Sequence, residues 1–222
     1  MRTLGRIALT IGLLIIGLIF CYKLTFPTYT YRYRMTVEVM VDGVVRSGAS
    51  VIEVKINKQP KFGQAPPQVS RFRGEAVFVD LGNGRNVIAL LAANGATNVD
   101  YPYNVVPGMF GLTFEDRDLR KLADLNGSRN LPTNLMPTLV TFSDLNDPKT
   151  TRIVSPYDFE KEFGSNIQFK QVWIEMTDDP VTREIEKKMP VIIEKLREGA
   201  KKSHPRWVGS PYTAALGHFS VF

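Results

Sequence analysis

The sequence predicts an α+β protein: a single N-terminal transmembrane helix followed by a domain with a largely antiparallel β-sheet and a few packed helices. Three observations predict it. Ile7 to Tyr22 carries no charge and is bracketed by Arg6 and Lys23. Tyr29 to Val41 alternates in character with a period of two and runs into Asp42-Gly43, a strand followed by a hairpin turn. Ile185, Met189, Ile192, Leu196 and Ala200 fall on one helical stripe of the kind that docks on a sheet.

The apolar run spans ~24 Å as a helix at about 1.5 Å per residue, slightly short of a hydrocarbon core of about 30 Å. Leu4 and Gly5 can extend it, because Arg6 and Lys23 can carry their charges to the headgroups on long stems. A cleaved signal peptide is the main rival, since Arg2 and Arg6 resemble its basic start. The residues that follow, Phe20, Cys21, Tyr22 and Lys23, do not form a small-x-small cleavage site, and bulky Phe20 argues against lipidation of Cys21. An uncleaved anchor over 1–24 is therefore expected. Arg2 and Arg6 before the run nearly balance Lys23, Arg32 and Arg34 after it. The short basic tip favours export of the carboxyl-terminal part, which puts the protein in the inner (cytoplasmic) membrane with its domain in the periplasm.

The remaining residues divide into an α+β domain over 28–202, with a point near 112 where two subdomains could meet, and an extended tail over 203–222. Cys21 is the only cysteine, so the domain has no intramolecular disulfide. The net charge of +6 is spread along the chain. Its densest group, Lys195, Arg197, Lys201, Lys202 and Arg206, is not interleaved with stacking aromatics, so no nucleic acid is expected as a partner.

Within the domain, Tyr29, Tyr31, Tyr33, Met35, Val37, Val39 and Val41 share the core face of the first strand. The return strand puts Ser50, Ile52, Val54 and Ile56 on one face and Glu53 and Lys55 on the other. Gln59 to Val69, with Pro60, Gly63, Pro66 and Pro67, reads as a surface loop. Arg71 to Leu81 and Arg85 to Ala93 read as two strands around Gly82-Asn83-Gly84. The continuously apolar stretch Val87 to Ala93 predicts a strand buried on both faces. Asn94 to Gly111 reads as an irregular aromatic loop covering the core.

A short helix is expected next, with Thr113 and Asp116 as a capping box, Leu119, Leu122 and Ala123 on one face, and Gly127 past its end. Leu139 to Phe142 and Thr151 to Val154 form a hairpin around Asp144 to Pro148, a plain turn that lacks EF-hand spacing. Ser155-Pro156-Tyr157-Asp158 caps a helix with Phe159 and Phe163 on one face, ended by Gly164. Ile167 to Met176 is a strand with imperfect alternation. Asp179 and Pro180 open the last helix, which Pro190 kinks or splits.

Tyr33 to Val41, Ser47 to Val54, Arg73-Gly74-Glu75-Ala76-Val77 and Thr177-Asp178-Asp179-Pro180-Val181-Thr182 together resemble a group of uncharacterised bacterial proteins, mostly proteobacterial, with an N-terminal membrane segment. The likeness covers most of the chain up to about Pro190. The group has no assigned activity, so the resemblance implies an envelope location and no site residues.

The residues themselves offer little catalytic chemistry. His204 and His218 are the only histidines and lie in the tail, which leaves little for serine–histidine hydrolysis or a zinc site. Glu53, Glu75, Asp80 and Glu175 lie in or beside strands and could supply a glycosidase pair, but charged solvent faces account for them. Arg73 and Glu75, two apart, read as a structural ion pair. No catalytic, cofactor-binding or metal-ligating residue is assigned, and no cofactor is expected. The expected function is a membrane-anchored envelope protein that acts as a binding or assembly module. Its expected partners are the membrane, through the N-terminal helix, and another envelope protein, through an apolar patch along Tyr101 to Phe110 or Trp207 to Phe222. The alternative is an enzyme acting on a cell-wall or lipid substrate.

Overall fold

A computed structural model describes the backbone of residues 2–195 and the side chains of residues 9–195. The expected tail, the histidines, and the helical positions Leu196 and Ala200 lie outside the described residues. So does most of the basic cluster beyond Lys195.

The alternating stretch after Pro27 forms β1 (Thr28–Val41), which pairs antiparallel with β2 (Val44–Lys58) in unbroken register from Thr28↔Asn57 to Val41↔Val44. The two-residue turn needs positive φ at both positions, and Asp42 (51°) and Gly43 (77°) supply it. β1 is the middle strand of a five-stranded antiparallel sheet ordered β3-β2-β1-β9-β6, with β3 at Gln68–Arg73, β6 at Ser128–Asn130 and β9 at Ile167–Met176. The imperfect alternation of β9 has a local cause. Glu38 pairs with Gln171 and Val39 with Phe169, so Lys170 is an extra residue in a bulge. Phe169, Val172 and Ile174 thereby stand opposite Val39, Val37 and Met35 on the core face.

A second antiparallel sheet, ordered β4-β5-β7-β8, comprises β4 (Val77–Gly82), β5 (Arg85–Ala89), β7 (Leu139–Phe142) and β8 (Thr151–Val154). The core lies between the two sheets, and Tyr31, Tyr33, Met35, Ile52, Val54, Val79 and Val87 all contribute to it. The stretch Val87 to Ala93 is buried on both faces as expected, but the strand itself ends at Ala89 rather than Ala93. Val87, Ala89 and Leu91 face this core, whereas Ile88, Leu90 and Ala92 face a second cluster with Val140, Phe142, Ile185, Met189, Ile192 and Ile193. The C-terminal helical residues therefore cover the outer face of the second sheet.

Several expectations are corrected. The α+β class with antiparallel sheets holds, but the transmembrane span does not: among the described residues no helix is long and apolar enough to cross a membrane. The N-terminal run is the helix α1 (Arg2–Thr25). Its described apolar part, Leu9 to Leu24, is interrupted by Thr10, Gly12, Gly17 and Lys23.

The strand expected over Arg71 to Leu81 is two strands in different sheets. The chain crosses over at Gly74 (φ 156°), where a Cβ would meet Ile52 Cγ1 at 2.8 Å. The loop expected from Asn94 to Gly111 contains helix α2 (Tyr101–Phe110), with Pro102 in its first turn and Pro107 inside. Pro102 costs nothing there because first-turn N–H groups have no intrahelical partner. α2 does cover the core, burying Tyr101, Pro102, Val105, Val106 and Pro107.

Helix α3 (Asp116–Ala123) buries Leu119 and Leu122 but exposes Ala123. Its expected capping box is displaced: Thr113 donates from N–H and Oγ1 to Asp118 Oδ2 at 3.1 and 3.0 Å. Gly127 (φ 90°) does not end α3, which closes at Asp124; Gly127 leads into β6 and its carbonyl accepts from Met176 N. The last helix does not begin at Asp179-Pro180. Residues 177–184 form no helix or strand, and Thr182 is hydrogen-bonded to both the N–H and the carbonyl of Val51. Helix α5 starts at Ile185 and ends at Lys188; Met189 breaks the helix, and residues 190–195 are helical again, as Pro190 requires. Ser155 caps a 3-10 turn that enters helix α4 (Phe159–Phe163), as expected, and the rings of Phe159 and Phe163 meet at 5.3 Å.

Candidate functional site

Each of the carboxylates Glu53, Glu75, Asp80 and Glu175 singled out from the sequence has a structural partner. Glu53, buried on the outer face of the first sheet, accepts from Arg32 Nε and Nη2 at 2.9 and 2.7 Å, with Lys55 Nζ at 3.4 Å. Burial works to raise its carboxyl, but the contacts with Arg32 and Lys55 outweigh it and hold the group below its usual range. Glu175 pairs with Arg34 at 2.7 Å, and Arg34 also binds Asp179. Asp80 is exposed and accepts from Gly82 N at 2.8 Å in its own turn.

Glu75 is not the partner of Arg73. Its buried carboxylate accepts from the backbone N–H groups of Glu184 and Ile185 at 2.8 and 3.1 Å and so caps α5 from a distant part of the chain. Asp144 and Asp147 accept from Asn146 N and Lys149 N and stabilise their own turn. Among the described residues no cluster of His, Cys, Asp or Glu could hold a metal ion. The four carboxylates are therefore distributed over ion pairs, a helix cap and a turn.

One of the polar recesses among the described residues was not legible in the sequence. It lies where β1, β9 and β6 present their outer faces, has a volume of about 350 Å³, and is lined by Glu38, Ser128, Arg129, Asn130, Gln171 and Trp173. The Lys170 bulge re-aims this part of β9. Glu38 consequently accepts from Gln171 Nε2 at 2.9 Å and Trp173 Nε1 at 3.3 Å, with Lys170 Nζ at 3.2 Å. Burial acts to raise the Glu38 carboxyl, but these three donors together lower it. A carboxylate with that many donors is a satisfied acceptor and a poor general base. Arg129 is likewise occupied, stacked 4.4 Å over the Phe110 ring and donating to the Met109 carbonyl.

A different surface stands out on physical grounds. Leu9, Ile11, Leu13, Leu14, Ile15, Ile16, Leu18, Ile19, Phe20, Tyr22 and Leu24 of α1 are all more than half exposed. The assembly patch expected along Tyr101 to Phe110 is largely buried within α2 and is corrected accordingly. Its companion, Trp207 to Phe222, lies outside the described residues. No family model matches the chain, and no curated protein or solved structure shows significant similarity to it.

Proposed function

We propose that this chain is a binding or assembly module working against a membrane of the cell envelope, and that its folded domain serves contact and positioning rather than catalysis. One observation carries the reading: α1 exposes apolar side chains in every direction while the domain fills its own core without it. Exposed apolar area of this kind costs roughly 25 cal/mol per Å² until something covers it. A helix that exposes this much apolar surface without being long and apolar enough to span suits the headgroup–acyl boundary of a bilayer, where it lies in the plane of the surface. Further support comes from Glu53, Glu75, Glu175 and Glu38, whose carboxylates are committed to ion pairs, a cap and hydrogen bonds.

The test is fractionation of cells producing the full chain, with membranes washed in high salt. The reading expects the chain to stay with the membranes through the wash. Recovery of the chain as a monomer in the detergent-free supernatant overturns it.

A further inference from the structure

We propose that the end of the domain from which α1 emerges rests on an anionic lipid surface, with Phe62 inserted among acyl chains and Lys23 and Lys61 against the headgroups. The proposal rests on the membrane reading of α1 and adds the face of the domain that makes contact.

The placement follows from the pairing. Because β1 and β2 are antiparallel and Thr28 stands opposite Asn57, β2 exits the sheet beside the point where α1 hands over to β1. Lys58 N–H donates to the Pro27 carbonyl at 3.2 Å, which ties the following loop to that junction. Gln59 closes the loop's base, donating from N–H to the Pro67 carbonyl at 3.0 Å and from Nε2 to the Pro66 carbonyl at 2.8 Å. Ala65 N–H returns to the Phe62 carbonyl at 3.0 Å and forms the tip. Pro60, Pro66 and Pro67 restrict the backbone further, so presenting the tip loses little conformational freedom.

On this braced loop Phe62 is 76% exposed. The rings of Tyr22 and Phe26 meet at 5.1 Å at the same junction, where aromatic residues favour a membrane–water boundary.

The charges fit the same partner. Lys58 is engaged by Asp116, whereas Lys23 and Lys61 have no acidic partner among the described residues. An exposed ring beside unneutralised ammonium groups is what an anionic bilayer accepts: apolar insertion flanked by headgroup pairing.

The test uses the full chain carrying Cys21→Ser and Phe62→Cys, labelled at the new thiol with an environment-sensitive nitrobenzoxadiazole dye. The protein is delivered by detergent dilution into phosphatidylcholine vesicles, with and without phosphatidylglycerol, that contain bromine-quencher lipids. The expected result is blue-shifted, bromine-quenched emission that is stronger with phosphatidylglycerol, and a preference for anionic vesicles weakened about fivefold by Lys61→Ser. A chain that floats with the vesicles while its label keeps aqueous emission overturns this proposal and leaves the reading of α1 standing. Label shielding without quenching, together with a crosslinked dimer, also overturns it in favour of a second copy. A chain that fails to float at all overturns both readings.

Discussion

Tyr31 donates its hydroxyl to the carbonyl oxygen of Tyr103 at 3.2 Å. Tyr103 lies four residues before Pro107, so its carbonyl is the one left without a helical donor by the missing proline N–H. A strand residue thus completes the hydrogen bonding of α2, and Tyr33 adds a second bond to the Pro102 carbonyl at 3.2 Å. Burial pushes both tyrosine hydroxyls up, so they remain protonated donors. Tyr31→Phe should cost about 1 kcal/mol of stability. In a Pro107→Ala background, where residue 107 regains its N–H, the same change should cost less. Urea titration of the four proteins in a double-mutant cycle measures the coupling; strict additivity would show that the hydroxyl does not serve that carbonyl.

Glu75 and α5 form a second long-range pairing. Removing the carboxylate by Glu75→Ala leaves the N–H groups of Glu184 and Ile185 without their acceptor. A loss of about 1–2 kcal/mol is expected, as for other caps. Hydrogen exchange should accelerate at those two amides first, because the rest of the sheet does not depend on them. Unchanged exchange at both positions would refute the cap.

These two contacts also explain what could be read in the sequence and what could not. The β1–β2 hairpin was legible because its face pattern and its Asp42-Gly43 turn are local. The double burial of residues 87–92 was legible because a continuously apolar stretch has to be covered on both sides, although the end of the strand at Ala89 was not. α2 was hidden because two prolines read as loop punctuation, and the donor that rescues Tyr103 comes from another element. The start of α5 was misplaced because Asp179-Pro180 satisfies the local rules for a helix start. In the fold, Asp179 binds Arg34, Thr182 extends along Val51, and the cap comes from Glu75. The Glu38–Trp173 recess was illegible because its register depends on a bulge and on pairing between distant strands.

The close approach of the two sheets makes Gly48 a sensitive position. A Cβ there would stand 2.1 Å from the Phe78 carbonyl oxygen and 3.2 Å from Val79 Cγ2. The nearest obstacle is backbone, so relief requires β2 and β4 to separate. Gly48→Ala should therefore destabilise by at least the ~1–3 kcal/mol typical of overpacking. In chemical unfolding the midpoint should fall with an unchanged slope. An unaltered midpoint would mean that the sheets part easily at this point.

The acid response of α3 should be traceable to one carboxylate. The Thr113 backbone N–H, Lys121 Nζ and the Thr113 hydroxyl bind Asp118 and lower its carboxyl from the ordinary 3.8 to about 2. Because the folded state holds the proton more weakly than the unfolded chain does, the stabilisation is fully present above about pH 4. It is lost as the pH falls through the folded value of about 2. Carboxyl chemical shifts should show Asp118 titrating at the low end of this window, and the Thr113 amide should shift with it. Asp118→Asn should remove that part of the acid sensitivity while leaving the titration of Glu53 in place, since the two sites share no partner. An Asp118 midpoint near the ordinary aspartate value would show that Thr113 and Lys121 do not hold the carboxylate in solution.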